Sequence, residues 1–255
     1  MNPHDDLFFR WYEAVSDRHL ATLSFPELRR AVQALSRLYV GDRSRLAAGR
    51  ELDSRGKRAA FALYFGPLHF LTVRAVVRSL GWGSAQVPVI HDLGCGTGTA
   101  GAAWALELPV KPKLKGIDPH PWAVAETRWT WDWFGLPGVA VQGRLETAPL
   151  PPRGEGVVCA YTLNECSREV RDRWLERALR AARRGLHVLV MEPISTRISG
   201  WMEDWSERFL RAGGRHDEWR LVEELPERLA LLDRAAGLDH RSGLTCRTLS
   251  IGPPA

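Results

Sequence analysis

Residues 89–102 read Val-Ile-His-Asp-Leu-Gly-Cys-Gly-Thr-Gly-Thr-Ala-Gly-Ala, and this stretch decides the fold. An apolar run ends at Asp92, glycines follow at positions 94, 96 and 98, and helix-forming residues come next. This order predicts a buried strand, a tight turn and the first turn of a helix. Because glycine lacks a Cβ and tolerates a positive φ, such a turn lets a ligand approach the backbone. The unpaired N–H groups of the helix start favour an anionic part of that ligand.

The same stretch contains the pattern G-x-G-x-x-G, starting at Gly96, which is typical of dinucleotide-binding loops. The register argues against that interpretation. A dinucleotide loop has its first glycine directly after the strand. Here Gly94 takes that place, which puts Thr99 where the third glycine belongs. Asp92, at the mouth of the loop, is a poor neighbour for a pyrophosphate and a good one for an ammonium group.

The motif Asp-Leu-Gly-Cys-Gly-Thr-Gly at 92–98 resembles the first motif of class I S-adenosylmethionine (SAM) dependent methyltransferases. The resemblance implies SAM as cofactor, with its methionine carboxylate toward backbone N–H groups and its amino group toward hydrogen-bond acceptors. A glycine-rich turn without a ligand is the alternative. The implied cofactor site comprises Asp92, Gly94, Cys95, Gly96, Gly98, Asp118, Pro119, Arg144, Leu145 and Thr162.

Asp118 ends the second predicted strand, in Gly-Ile-Asp-Pro-His. A carboxylate there can accept hydrogen bonds from both ribose hydroxyls, and the resemblance assigns it that role, with Pro119 and His120 beside the adenosine. Asp118 is alternatively the N-cap of a helix with Pro119 at its first position, and both roles are compatible. Arg144 and Leu145 follow the third strand, where related methyltransferases pack the adenine.

Ala-Tyr-Thr-Leu-Asn-Glu-Cys, residues 160–166, ends the fourth strand, where such enzymes hold the methyl acceptor. Methyl transfer from a sulfonium is an in-line displacement that needs alignment and sometimes a base. Asn164 can accept a hydrogen bond from a target amine and Glu165 can take up a proton, so these two are the predicted catalytic residues. The alternative makes Asn164 a helix cap and Glu165 a solvated side chain. Covalent attack by Cys166 is not favoured, because the Pro-Cys and Thr-Cys motifs of cytosine-5 methyltransferases are missing.

Composition restricts the class of protein. The 255 residues are 45% hydrophobic and 25% charged, which is typical of a globular chain. No uninterrupted apolar run approaches a membrane-spanning length, and the first ten residues lack the apolar core of a secretory signal. We therefore expect a cytoplasmic protein without a membrane partner. The four scattered cysteines and the isolated histidines predict no metal site.

The chain is predicted to divide near residue 85. Residues 1–85 indicate helices, with a capping box at Ser24–Glu27 and a helix break at Gly66-Pro67. Residues 86–255 alternate strands and helices, which predicts an α/β, doubly wound Rossmann-like methyltransferase sheet behind an N-terminal helical extension. A Trp-rich insert is expected at about 196–225, where tryptophans can stack on a flat acceptor or pack on the sheet. Strands at 238–242 and 245–251 close the chain.

Residues 29–58 form a basic segment, with nine Lys and Arg against three Asp and Glu. Such a concentration indicates either an electrostatic footprint for nucleic acid or a solvated arginine-rich helix pair.

Three further motifs are similar to the small-ribosomal-subunit methyltransferase-like family of mitochondria and bacteria. They are Arg-Ala-Ala-Phe-Ala-Leu-Tyr at 58–64, Ala-Tyr-Thr-Leu-Asn-Glu at 160–165 and Leu-Val-Met-Glu-Pro at 189–193. The similarity covers about residues 55–195, although the cysteine-rich metal-binding segment of that family is missing from 197–220. It favours RNA or a ribosomal subunit as partner, reached through the basic segment. The alternatives are a small-molecule N- or O-methyltransferase and a non-catalytic ribosome-assembly or RNA-binding factor. Oligomeric state is left open.

Overall fold

The computed structural model describes residues 3–21, 23–41, 52–237 and 240–252, and the chain divides into two compact units. The first unit comprises Met1–His69 with Val222–Leu244, and the second comprises Phe70–Leu221 with Thr245–Ala255. A late segment of the chain thus belongs with the N-terminal helices. The expected division at residue 85 stays a prediction.

Helices build the first unit. The Glu27 half of the predicted capping box is confirmed, because the backbone N–H of Ser24 donates to the Glu27 carboxylate at 2.9 Å, and the Ser24 hydroxyl donates to the same carboxylate at 2.6 Å. The apolar stripe of the helix that follows, Leu28, Val32 and Leu35, is fully buried. The helices are α1 (Pro3–Leu20), α2 (Phe25–Gly41), α3 (Arg55–Ala60) and, late in the chain, α10 (Glu227–Ala236).

The predicted helix break at Gly66-Pro67 is wrong. A π turn, Phe61–Phe65, leads from α3 directly into α4 (Gly66–Ser79). In this wider turn the N–H of Gly66 donates to the carbonyl of Phe61, which lets the helix pass a proline that has no N–H of its own. By length and by a mean hydropathy of 1.4, the stretch Arg55–Ser79 is apolar enough to cross a membrane, but 83% of its most apolar window is buried inside the protein.

The second unit is built on one seven-stranded sheet with the order β3-β2-β1-β4-β5-β7-β6. The strands β1 to β5 pair in parallel, and β7 runs antiparallel to β5. The order reverses between β1 and β4, which in a doubly wound sheet is where a ligand binds. The strands are β1 (Val89–Leu93), β2 (Lys113–Asp118), β3 (Gly138–Gln142), β4 (Gly156–Ala160), β5 (His187–Pro193), β6 (Arg215–Leu221) and β7 (Leu244–Ile251).

Helices flank this sheet and complete the predicted α/β fold. They are α5 (Thr99–Glu107), α6 (Pro121–Trp133), α7 (Arg168–Ala182), α8 (Thr196–Ser199) and α9 (Glu203–Arg211). Helix α7 buries Trp174 and Leu175 in one cluster with Val157 of β4 and Val188 and Val190 of β5. This packing holds the carboxyl ends of β4 and β5 side by side.

The C-terminal part of the sheet differs from the expectation. Residues 215–221, expected in an insert, form the edge strand β6, whose Trp219 indole donates to Thr248 of β7 at 2.8 Å. Of the expected strand at 238–242, residues 238–239 lie outside the described residues and 240–242 form a 3-10 turn. The last predicted strand is confirmed as β7.

Candidate active site at the carboxyl ends of the strands

The glycine loop between β1 and α5 is folded as its sequence predicts. Gly94, Gly96 and Gly98 all have positive φ, of 71°, 54° and 75°. The N–H groups of Gly94 and Cys95 donate to the carbonyl of Ile117 in β2, at 2.8 and 3.1 Å. A Cβ on Gly94 would lie 2.3 Å from Cγ2 of Thr162, so a side chain has no room there. The loop is therefore held between β2 and the end of β4.

Two side chains of helix α6 donate hydrogen bonds to backbone carbonyls of the glycine loop. The hydroxyl of Thr127 donates to the carbonyl of Gly96 at 2.9 Å, and the indole of Trp131 donates to that of Gly98 at 2.8 Å. The Thr127 hydroxyl also reaches the buried Cys95 thiol at 3.3 Å, and burial raises the pKa of that thiol well above its usual value. Cys95 is thus a neutral packing residue beneath the loop.

Gly101 explains the misleading G-x-G-x-x-G pattern. Its N–H donates to Oδ2 of Asp92 at 2.8 Å, and a Cβ on Gly101 would lie 2.8 Å from the same oxygen. The third glycine of the pattern therefore makes room for the Asp92 carboxylate and need not face a pyrophosphate. This agrees with the register argument against a dinucleotide loop.

Two polar side-chain atoms at the loop are buried without a hydrogen-bond partner among the described residues. They are Oδ1 of Asp92, which is 1% exposed, and Oγ1 of Thr97, which is 4% exposed. Burial raises the pKa of Asp92 to about 7, and the neighbouring Asp118 adds to the rise. A buried polar atom without a partner is costly. This pair therefore fits a ligand that carries an ammonium group and hydrogen-bond acceptors, as the methionine part of SAM does.

Asp118 lies at the end of β2 and holds two backbone groups. Its Oδ2 accepts from the N–H of Gly96 at 3.0 Å and its Oδ1 from the N–H of His120 at 2.8 Å. The alternative that Asp118 caps α6 is wrong, because Asp118 still pairs with Gln142 of β3. The N-cap is His120, whose Nδ1 accepts from Trp122, and Pro121 takes the first helical position.

The three other predicted cofactor residues differ in burial. Pro119 is exposed and its carbonyl accepts from the side-chain amide of Gln142 at 3.0 Å. Arg144 is also exposed, at the start of a 3-10 turn after β3. Leu145 is buried in the hydrophobic cluster that contains Trp174, so its side chain packs into the core.

Asn164 lies in a 3-10 turn, Leu163–Glu165, just beyond β4. Its backbone N–H donates to Oε1 of Glu192 at 3.1 Å, its Nδ2 donates to Oε2 of Glu192, and its Oδ1 accepts from Nε1 of Trp201 at 2.8 Å. The alternative that Asn164 caps α7 is wrong, because Ser167 does so through a bond from Val170 at 3.3 Å. Glu165 is exposed.

Sequence reasoning missed three residues at this end of the sheet. Glu192 is a fully buried carboxylate at the end of β5, and its position after an apolar strand next to β4 was a usable signal. Trp201 was expected in the Trp-rich insert, as a residue that stacks on a flat acceptor or packs on the sheet, and not as a hydrogen-bond partner of Asn164. Tyr161 has a φ of 59° and is the one non-glycine residue with a positive φ in the described ranges, a strain that no sequence pattern announces. Across those same ranges, no three His, Cys, Asp or Glu side chains form a metal site.

Residues 90–185 match the family model described as "Methyltransferase domain". No curated protein sequence matches this chain. Among solved structures, mitomycin 7-O-methyltransferase MmcR aligns at TM-score 0.50 and 13% identity, over 99% of this chain and 76% of that one, which shows a shared fold.

Two other solved structures are similar at lower TM-score. The C-terminal domain of precorrin-6Y C5,15-methyltransferase from Rhodobacter capsulatus aligns at 0.46 and 18% identity, over 70% of this chain and 87% of that one. The tRNA (uracil-54, C5)-methyltransferase of Pyrococcus abyssi, solved with S-adenosyl-L-homocysteine, aligns at 0.45 and 13% identity, over 71% and 38%. The similarity to the small-ribosomal-subunit family stays a prediction.

The family match covers the strands and loops from β1 to the end of α7, which contain the glycine loop, Asp118 and Asn164. The sheet order and the fold that surround them agree with that match. The chain therefore contains, over residues 90–185, a SAM-dependent methyltransferase domain, with S-adenosylmethionine as its cofactor.

Proposed function

We propose that this enzyme methylates RNA, of the ribosomal kind, in the cytoplasm. The observation that carries the proposal is the outer face of α2, where Arg29, Arg30 and Arg37 are all exposed. The only acidic residue of that helix, Glu27, is bonded to Ser24 at its first turn. Exposed arginines on one face of a helix suit phosphate contacts, which supply most of the affinity for nucleic acid. Residues 42–51 of the basic segment, with Arg43, Arg45 and Arg50, lie outside the described residues.

The proposed cofactor placement follows from the buried polar groups of the loop. Bound SAM supplies an electrophilic methyl group on a sulfonium. Oδ1 of Asp92 would accept from the ammonium group, and Oγ1 of Thr97 would bond the methionine part. Asp118 would accept from the ribose hydroxyls, while Pro119 and the backbone at Arg144 and Leu145 border the adenine. Gly94 to Gly98 let the ligand approach, and Thr162 fixes the distance between the loop and β4.

The proposed acceptor lies against Asn164, whose oxygen would receive a hydrogen bond from the nucleophile and align it for in-line attack. The aligned acceptor atom would take the methyl group from the sulfonium sulfur and would then release a proton. Glu165 is exposed, so it would pass that proton to solvent rather than hold it.

Replacement of Asp118 by alanine should weaken SAM binding about tenfold, since an ionic hydrogen bond contributes about 1.5 kcal/mol. Calorimetric titration with SAM and, separately, with NAD measures this. Asp118→Asn keeps the shape and an acceptor oxygen, and the exposed Asp132→Ala is the matched control. An unchanged SAM affinity in Asp118→Ala removes Asp118 from the cofactor site. Binding of NAD instead of SAM by the wild type would identify the glycine loop as a dinucleotide-binding loop.

Replacement of Arg29, Arg30 and Arg37 together by glutamine should reduce the salt dependence of RNA binding. Each lost contact with a single-stranded phosphate lowers the slope of log K against log salt by about 0.7, so the triple variant should lose about 2. Fluorescence anisotropy with a labelled single-stranded RNA measures this slope. The titrations cover about 50 to 200 mM salt, the range in which the effect of salt on affinity is strong. The charge-matched control replaces Arg173, Arg180 and Arg184, which are also exposed. Equal slopes in both variants would exclude α2 as the RNA surface.

A small-molecule acceptor is the second candidate, favoured by the bond between Trp201 and Asn164. An indole held at the predicted acceptor position gives a flat apolar wall, which suits a small planar substrate. An RNA affinity that does not change with salt concentration would favour this candidate. Salt-dependent RNA binding without methyl transfer would favour the assembly factor.

A further inference from the structure

The side-chain amide of Asn164 is held in one orientation from both of its ends. An indole N–H is only a donor, so the amide atom that faces Nε1 of Trp201, at 2.8 Å, must be the oxygen. On the other side, Nδ2 of the amide donates to Oε2 of Glu192, whose Oε1 accepts from the backbone N–H of Asn164. The two partners are complementary, and a flipped amide would oppose donor to donor and acceptor to acceptor. The orientation thus follows from the partners' chemistry.

The partners themselves are firmly placed. Glu192 is 0% exposed and belongs to β5, which pairs with β4 on one side and with β7 on the other, where its backbone is in register with that of Arg247. A second bond, from the backbone N–H of Asn164 to Oε1 at 3.1 Å, ties the whole turn to the same carboxylate. The Trp201 indole is covered by the guanidinium of Arg171, 4.6 Å from the ring centre. Rotation of the amide therefore breaks both of its side-chain hydrogen bonds.

We propose that Glu192 and Trp201 are positioning residues that hold the Asn164 amide for the methyl acceptor. The bonds described use one of the two lone pairs of Oδ1 and one of the two N–H bonds of Nδ2. The held amide can therefore offer one acceptor and one donor together. This pair suits an acceptor group in which an N–H or O–H lies beside a hydrogen-bond acceptor, as on the edge of a nucleobase or an amide. The inference rests on the proposed place of Asn164 at the acceptor site.

An exchange of amide and carboxylate tests the positioning role. Glu192→Gln places an NH2 against Nδ2 of Asn164, and Asn164→Asp places a carboxylate against Glu192, so each single change removes the complementarity. The double variant restores it, because the amide of residue 192 then donates to the carboxylate of residue 164, whose other oxygen still accepts from Trp201. Each single variant should transfer tritiated methyl from SAM to total RNA about tenfold more slowly in kcat, with an unchanged Kd for SAM. The double variant should be faster than Asn164→Asp, because it regains the orientation, but slower than wild type, because an aspartate at 164 offers the methyl acceptor no N–H.

A second readout needs no acceptor. The indole N–H resonance of Trp201, assigned with Trp201→Phe in the complex with S-adenosyl-L-homocysteine, reports the bond to Asn164. It should shift in Glu192→Gln and return in the double variant, while the exposed Glu169→Gln leaves it in place. An unmoved resonance in Glu192→Gln, or double-variant losses that simply add, would overturn the proposal. If wild-type enzyme labels no RNA, the RNA proposal fails, and the resonance alone decides on Glu192.

Discussion

Alanine in place of Gly94 should weaken SAM binding by about 100-fold. The backbone of Gly94 has a φ of 71°, which costs an L-residue about 1–2 kcal/mol. Its new Cβ would also lie 2.3 Å from Cγ2 and 2.4 Å from Oγ1 of Thr162, and such overpacking costs about 1–3 kcal/mol. The loop can avoid the overlap only by moving away from the end of β4. Because the loop forms the proposed methionine site, this movement removes the geometry that SAM needs.

Gly81→Ala is the matched control for that change. Gly81 has nearly the same φ, 72°, but nothing lies within 4 Å of its added Cβ. It should therefore lower stability by about 1 kcal/mol and leave the SAM affinity of the folded protein intact. Calorimetric titration of both variants measures their SAM affinity, and thermal unfolding measures their stability, so the two effects are separated. If Gly94→Ala bound SAM as tightly as Gly81→Ala does, the loop would not be the cofactor site.

Lowering the pH from 7.5 to 5.5 should weaken SAM binding about twentyfold. The Asp92 carboxyl has a pKa of about 7 because it is buried, so its ionised fraction falls steeply across this range. An α-amino group, with a pKa near 8, stays largely protonated throughout. The proposed ion pair between the two therefore needs the carboxylate and is lost as Asp92 takes up a proton.

Without SAM, the free energy of unfolding should change with pH in the opposite sense to the SAM affinity. A raised pKa means that the folded state binds the proton more tightly than the unfolded chain, whose Asp92 titrates near 3.8. The resulting contribution to the free energy of unfolding is fully present below that value and is lost as the pH rises through about 7. Asp92→Asn should remove both pH dependences. Persistence of the steep binding profile in Asp92→Asn would assign the titration to another group.

Several features of this protein were encoded locally and could be predicted from the sequence. The glycine loop needs positive φ at Gly94, Gly96 and Gly98, and only glycine adopts it cheaply, so the turn is visible in the sequence. The capping box of Ser24 and Glu27 involves residues three apart, and strands buried on both faces produce apolar runs. The same reasoning placed Asp118 and Asn164 at the carboxyl ends of strands, where ligands bind to a parallel sheet.

Other features depend on residues far apart in the chain. Asn164 is oriented by Glu192 and Trp201, which follow it by 28 and 37 positions, and no local pattern joins them. The edge strand β6 is polar and half-buried, so its pairing with β7 and not its own sequence identifies it. The helix continues past Pro67 through a π turn, which the local Gly-Pro sequence does not reveal. The sequence alone determined the cofactor loop, because backbone conformation specifies its residues. The tertiary structure decided how the acceptor site is arranged, because that site is made by side chains that only the assembled sheet brings together.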